Sequence, residues 1–332
     1  TDPAMTSWLG MDVDDDLALA FLLGTPHVRI LAATATHGNS FLSITCRRLK
    51  VLLEELKLDI PMACGPSSWA SLLPSFGRSL PKPLANAAAD LLVNETRHFR
   101  RVRDRQSSGT HEADHLVWLS LGAMTNVAAA LKQIAASSPQ DLPDEIVILA
   151  CRLDGAWDLN TWADLAAAAF LLVEAPTFVN VTVIPMEVMA GATVGMRELD
   201  RLRHRCSGSW VSGHVGLLKR FAWIAGHLQR GQVSQPANDE MSSPLSRPVH
   251  GFHPWDVGAA VHVAYPGQLF LASSCRIAQQ GGTGIILGHE DVPCGISKDM
   301  PSGKEQFPVQ VLTNLAEPQF MAVMFDGLCG PM

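Results

Sequence analysis

The residues most able to do chemistry lie near the start of the chain, in Asp12-Val13-Asp14-Asp15-Asp16. An apolar helical run, Leu17, Ala18, Ala20, Phe21 and Leu22, follows at once. Four carboxylates at one helix start repel one another, and the helix dipole offsets only about 0.3–1 kcal/mol per charge. A hard cation offsets more, and calcium takes about six to eight oxygen ligands, many of them carboxylates. The competing reading is an over-capped helix in which Asp12 or Asp14 is the N-cap and the others face water. A second acidic site stands far along the chain in His253-Pro254-Trp255-Asp256, again ahead of a helical pattern (Val257, Ala260, Val261, Val263). There Asp256 either caps a helix or completes a metal shell, and Trp255 is either core or a stacking surface for a flat ligand.

Two other motifs carry less. His111-Glu112-Ala113-Asp114-His115 has the spacing of a zinc-protease helix, but it runs from a polar loop straight into an apolar strand, where the two histidines do not share a helical face. Gln280-Gly281-Gly282-Thr283-Gly284 lacks the strand-to-helix setting of a phosphate loop, and Gly303-Lys304 is followed by Glu305 rather than Ser or Thr. Both are read as loops.

These groups need a scaffold. Apolar runs of strand length recur at Val28–Thr36, Ile60–Cys64, His115–Leu121, Glu145–Cys151 and Phe178–Ile184. Helical patterns alternate with them at Ile44–Leu56, Asn126–Ile134 and Trp162–Val173. Continuously apolar strands are strands covered on both faces. The expected fold is therefore α/β, a mostly parallel, Rossmann-like open sheet with helices on both faces. Leu199–Gly267 reads as mainly helical, with a polar loop over Gly231–Val249; Gln279–Gly303 reads as Gly-rich and irregular; a last helix covers Glu317–Leu328. No repeat or linker divides the chain, so residues 1–332 are read as one domain. The opening Thr1-Asp2-Pro3 has no strand ahead of it, and a first strand is expected to be missing. In open α/β sheets ligands bind beyond the carboxyl ends of the strands. A helix start in the first crossover lies there, which favours the metal reading of the acidic cluster.

Composition narrows the partners. The chain has 332 residues, 47% of them hydrophobic, and a net charge of -7 from 25 basic and 32 acidic residues. Without a long basic stretch, neither a nucleic-acid polymer nor an anionic membrane is expected as partner. The run Arg97, Arg100, Arg101, Arg103, Arg105 is read as a solvated helix end. Seven cysteines occur singly, an odd count with no CxxC pair, which reads as free thiols in a reducing compartment, hence cytoplasmic. No apolar run reaches membrane-spanning length, and no signal peptide is visible.

Taken in order, the motifs resemble the nucleoside hydrolase family. That family opens with Asp-x-Asp-Pro-Gly-x-Asp-Asp; here Thr1-Asp2-Pro3-Ala4-Met5 is similar to its first half and Asp14-Asp15, followed by Asp16-Leu17-Ala18-Leu19, to its second, with Thr6–Val13 inserted between. His37-Gly38-Asn39, Ser120-Leu121-Gly122-Ala123-Met124-Thr125-Asn126 and Asp158-Leu159-Asn160 resemble later family motifs, and Trp255-Asp256 resembles the pair of its purine-preferring branch. The likeness runs over residues 1–265. It implies a calcium ion held by Asp2, Asp15, Asp256 and the backbone carbonyl of Leu121, with Asp2 also activating water. It further implies ribose contacts from Asp14, Asn39, Asp158 and Asn160, and stacking of the base on Trp255. Trp69 is a second candidate for the base, and His253 a candidate proton donor to it. The implied activity is hydrolysis of the N-glycosidic bond of ribonucleosides, purines slightly favoured, in a homo-oligomer (dimer or tetramer) serving nucleoside salvage. The departures are Ala4 at the family's glycine, the insertion, Ala150-Cys151-Arg152 in place of Met-Gly-Gly, a shortened loop before Asp158, and Asp164-Leu165 in place of Asp-Pro. They motivate two alternatives: a nucleoside- or ribose-binding relative without turnover, and, more weakly, a phosphatase using Asp2 as nucleophile.

Overall fold

A computed structural model describes residues 1–4, 13–66, 86–106, 114–152, 158–232, 251–280, 284–289 and 309–330. Its largest sheet has six strands: β3 (Val117–Ser120), β4 (Glu145–Leu149), β5 (Asn180–Ile184), β10 (Val309–Leu315), β8 (Phe270–Gln280) and β9 (Gly284–His289), in that spatial order. β3, β4, β5 and β10 run parallel, whereas β8 and β9 are antiparallel to their neighbours. β1 (Ala33–Ala35) pairs in parallel with β2 (Met62–Cys64). Beside β1 lies the start of the chain: the Thr1 amino group donates to the Thr34 carbonyl, and the Thr36 N–H donates to the Thr1 carbonyl. A short antiparallel pair joins β6 (Val194–Gly195) to β7 (Gly251–Phe252).

The apolar strand runs have the expected cause. In β4, Ile146 and Ile148 join one buried cluster and Val147 and Leu149 the other. Alternate residues thus enter cores on opposite faces of the sheet. One core is built with α3 (Ala87–Gln106) and α4 (Thr125–Ser137). The other takes α1 (Asp14–Leu23), α2 (Leu42–Glu55), α7 (Met196–Arg205), α8 (Trp210–Gln232), α9 (Trp255–Ala264) and α10 (Glu317–Leu328). The short helices α5 (Leu159–Ala163) and α6 (Leu165–Ala169) stand beyond the end of β4.

Four expectations change. Part of the segment read as irregular, Gln279–Gly303, is strand: the end of β8 and all of β9. The arginine run is not a solvated helix end, because Arg100 is buried in α3 and, with Arg103, pairs with Asp144. The helix expected over Trp162–Val173 is broken into α5, α6 and a π-turn at Phe170–Glu174. The cysteines do not all stay free: Cys46 bonds Cys64 and Cys206 bonds Cys329, with Cα separations of 5.7 and 4.5 Å, while Cys151 is a buried free thiol. Those separations lie within disulfide reach. The pairings remove the argument for a reducing compartment. Among the described residues, no helix is long and apolar enough to cross a membrane.

A buried ion pair fixes α1 against α2. Arg48 Nε donates to Asp16 Oδ1 at 2.7 Å, and the same guanidinium reaches Glu55 Oε2 at 3.1 Å. Burial pushes the Asp16 carboxyl up to about 7 against the opposing pull of Arg48. Removing one partner of such a pair strands a buried charge. Arg48→Met is therefore expected to lower the unfolding free energy in urea by about 3–5 kcal/mol. Adding Asp16→Leu, which removes both charges, is expected to recover most of that loss.

Candidate active site

The three acidic residues of the first turn of α1 are all buried, and each is held differently. The helix is entered through Val13, which supplies no side-chain cap, and Asp12 lies outside the described residues. Successive residues on a helix point about 100° apart, so three adjacent carboxylates reach three different neighbours. Asp14 Oδ2 accepts the Asp256 N–H at 3.3 Å, so it serves as a cap for α9, whose own N-cap, Pro254, has no side-chain cap bond. Asp15 accepts the Asp2 N–H at 3.1 Å and the Thr1 hydroxyl through Oδ1, and the Asn39 side-chain amide at 3.4 Å through Oδ2. Asp16 turns to Arg48. The over-capped, water-facing reading of the acidic run does not hold for these three.

Asn39 links the two ends of the candidate metal set. While its side chain holds Asp15, its backbone N–H donates to Asp2 Oδ2 at 2.6 Å. Asp2 is fully buried and pressed between two glycines. A Cβ added at Gly38 would stand 1.9 Å from Asp2 Oδ2, and one at Gly122 would stand 2.1 Å from Asp2 Oδ1. The Leu121 carbonyl, next to Gly122, accepts the Asn160 side-chain amide at 3.0 Å. That amide nitrogen also donates to the Leu149 carbonyl at 2.9 Å. Asp158 caps α5, taking the Thr161 N–H at 2.9 Å on one oxygen and the Cys151 N–H at 3.1 Å on the other. Burial raises the Asp158 carboxyl despite these bonds. His37 donates from Nε2 to the Ala163 carbonyl at 3.2 Å and so ties the Asn39 loop to α5.

His253 and Trp255 stand just ahead of Asp256, their ring centroids 5.4 Å apart. His253 Nδ1 donates to the Ala192 carbonyl at 2.8 Å. Burial holds this imidazole below the ordinary histidine range. His253 Nε2 and Trp255 Nε1 are buried and have no hydrogen-bond partner among the described residues. Trp69 lies outside the described residues.

The structure thus joins Asp2, Asp15 and Asn39 directly, sets the Leu121 turn against Asp2, and packs Asp14 against the backbone of Asp256. The carboxylates meet in pairs: among the described residues, no group of three or more Asp, Glu, His or Cys side chains stands close enough together to hold a metal ion. In kind, the buried carboxylates Asp2, Asp14, Asp15 and Asp256 are the type of oxygen donor that a hard divalent cation takes. Burying that much like charge costs several kcal/mol per ion unless it is compensated. Several contributors gave no signal in the sequence, among them the Thr1 hydroxyl and Arg48, and Cys151 was visible only as a departure from the family's Met-Gly-Gly. Gly122 was visible in a motif, but not its contact with Asp2.

The parallel strands β3 and β4, with buried acidic and amide side chains gathered past their carboxyl ends, define an α/β enzyme with its site in the usual place for open sheets. Residues 8–322 match the family model described as inosine-uridine preferring nucleoside hydrolase, a span that leaves Asp2 just outside. The chain belongs to the nucleoside hydrolase family and is a hydrolase acting on N-glycosyl compounds. Among solved structures it is similar to a plant nucleoside hydrolase (17% identity, TM-score 0.68, covering 100% of this chain and 98% of that one). It is also similar to a purine-preferring ribonucleoside hydrolase from Gardnerella vaginalis (19%, TM-score 0.65, 97% and 96%). A third is an inosine-guanosine nucleoside hydrolase (17%, TM-score 0.64, 98% and 98%). At these identities the likeness is one of fold. No curated protein matches the chain.

The glycine cradle generates a test. Gly122→Ala places a methyl against Asp2 Oδ1, and displacing a reacting group by about 1 Å costs on the order of 100-fold in rate. The variant is expected to keep the wild-type circular dichroism spectrum and to lose about that much kcat in a ribose-release assay. Undiminished turnover would show that Asp2 is not held by this contact.

Proposed function

We propose that this chain hydrolyses the N-glycosidic bond of ribonucleosides, prefers purine nucleosides, and works with one calcium ion held by Asp2, Asp15, Asp256 and the Leu121 carbonyl. The observation that carries this reading is the junction at Asn39, where carboxylates from positions 2 and 15 are fastened together beside the Leu121–Gly122 turn. A calcium ion there supplies positive charge that orients water and the sugar diol.

The chain's own groups do the rest. Asp2, fixed by the Asn39 N–H, accepts a proton from the attacking water. The water oxygen bonds to the anomeric carbon as the bond to the base nitrogen breaks, through an oxocarbenium-like transition state. Asp14 and Asn39 hold sugar hydroxyls. The base leaves with the bonding electron pair and takes a proton from solvent at a ring nitrogen, while the proton of the attacking water passes to Asp2 and later to solvent. His253 is poorly suited to give it, because donation needs the imidazolium form, which burial disfavours. Stacking on Trp255, which binds the flat base and favours protonation of its ring, is the better-supported contribution. The sign for pH follows: if His253 were the acid, kcat would fall as pH rises through its lowered pKa, below about 6.5. With the base stacked on Trp255 and its proton drawn from solvent, His253→Gln is expected to leave the pH profile of kcat between pH 6 and 8 unchanged.

The direct test is release of free ribose from inosine, adenosine, guanosine and uridine, with calcium and with chelator. Release that requires calcium and is fastest on the purine nucleosides is expected; no release from any of the four by the folded protein contradicts the proposal. Base stacking is worth about 1–3 kcal/mol, so Trp255→Ala should lower kcat/KM for inosine by roughly 5- to 150-fold, more than for uridine. A second reading, a nucleoside-binding relative without turnover, draws on Ala4 at the family's glycine and on the shortened loop before Asp158. Calorimetry showing ribose binding with no product would favour it.

A further inference from the structure

Two residues that the family resemblance gives to ribose are bonded to the protein's own backbone, Asp158 through both carboxylate oxygens and Asn160 through its amide nitrogen. Both Asp158 oxygens accept backbone N–H groups, one from the end of β4 and one from the first turn of α5. The Asn160 amide nitrogen spans the Leu121 and Leu149 carbonyls, beyond β3 and at the end of β4. The residue that receives Asp158 is itself strained: Cys151 has φ 71°, a left-handed conformation that suits glycine and costs a side-chain-bearing residue about 1–3 kcal/mol. Three contacts keep it there. Its N–H meets Asp158, its carbonyl takes the Met186 N–H at 3.2 Å, and its buried Sγ lies 3.8 Å from the Thr161 hydroxyl.

We propose that Cys151, Asp158 and Asn160 form a clip that aims the Leu121 carbonyl, so that Asp158 and Asn160 are positioning residues and not ribose ligands. The chain of contacts is continuous. The turn at Cys151 anchors Asp158; Asp158 sets the first turn of α5; that turn presents Asn160; and Asn160 holds the Leu121 carbonyl, one residue from the Gly122 contact with Asp2. A carbonyl can accept an N–H and still offer its second lone pair to a cation. Groups behind metal ligands act in this way, by fixing ligand direction. The proposal rests on the calcium-dependent hydrolase reading of the same site.

The test separates positioning from contact by using substrates that lack one hydroxyl. Asp158→Asn and Asn160→Ala are assayed on inosine and on its 2′-, 3′- and 5′-deoxy analogues, and calcium affinity is measured by calorimetry without substrate. The clip predicts that kcat falls roughly 10- to 100-fold, by the same factor on every substrate turned over, with KM little changed. It also predicts that calcium binds more weakly in both variants. A defect that appears mainly in KM and vanishes on one deoxy analogue would mean direct ribose contact and would overturn the proposal. Calcium affinity equal to wild type in both variants, or no calcium binding by the wild type, would overturn it too. A wild type that binds calcium but releases no ribose would remove the hydrolase reading and leave calcium affinity to judge the clip. Should Asp158→Asn fail to fold, Asn160→Ala reads the same coupling from the other end.

Discussion

The arrangement depends on burying three consecutive carboxylates in the first turn of one helix. Asp14, Asp15 and Asp16 have almost no contact with solvent, and the α1 dipole compensates only a fraction of their charge. Helical geometry solves part of the problem by sending them to different places. Asp16 is neutralised by Arg48, Asp14 satisfies the start of α9, and Asp15 gathers Thr1, Asp2 and Asn39. Each solution is also a tether. The cluster therefore fixes α1 relative to α2, to α9 and to the start of the chain. Asp2, Asp15 and Asp256 are buried carboxylates from distant parts of the chain, and they are the oxygen donors of the proposed cation site.

The surrounding frame meets the demands of such a site. Parallel strands deliver their carboxyl ends to one rim, and their alternating side chains lock into cores above and below. The groups that must not drift are held by bonds between a side chain and the backbone: Asp2 by the Asn39 N–H, between two glycines, the Leu121 carbonyl by the Asn160 amide, and the entry to α9 by the Asp14 carboxylate. Strain at Cys151 sits in the same rim, where local unfavourable geometry persists only under tight surrounding contacts.

Much of the frame was legible in the sequence because its signals are local. The runs at Glu145–Cys151 and Phe178–Ile184 became β4 and β5, and the periodic stretches at Ile44–Leu56, Asn126–Ile134 and Glu317–Leu328 became α2, α4 and α10. What escaped was set by distant partners. The end of β8 and all of β9 lie in a Gly- and Gln-rich stretch that becomes strand by pairing at the sheet edge. The arginines of α3 read as solvated because Asp144, which holds two of them, is about forty residues away. The cysteine pairs span 18 and 123 residues, without the short spacing that marks a paired motif. In the site, the ordered motifs singled out Asp2 and Asp15 for a metal and Asn39 for ribose; that Asn39 bonds both carboxylates was not readable from them. The hydrogen bonds of Asp158 and Asn160 were not readable, since a motif gives a residue type and not the direction of its donors.

Calcium calorimetry on the wild-type chain and on Asp2→Asn, Asp15→Asn and Asp256→Asn tests the central claim most directly. The account predicts one calcium ion per wild-type chain and a large loss of affinity in each of the three folded variants. Wild-type chain that takes up no calcium, or variants that bind it as tightly as wild type, would contradict the shared site.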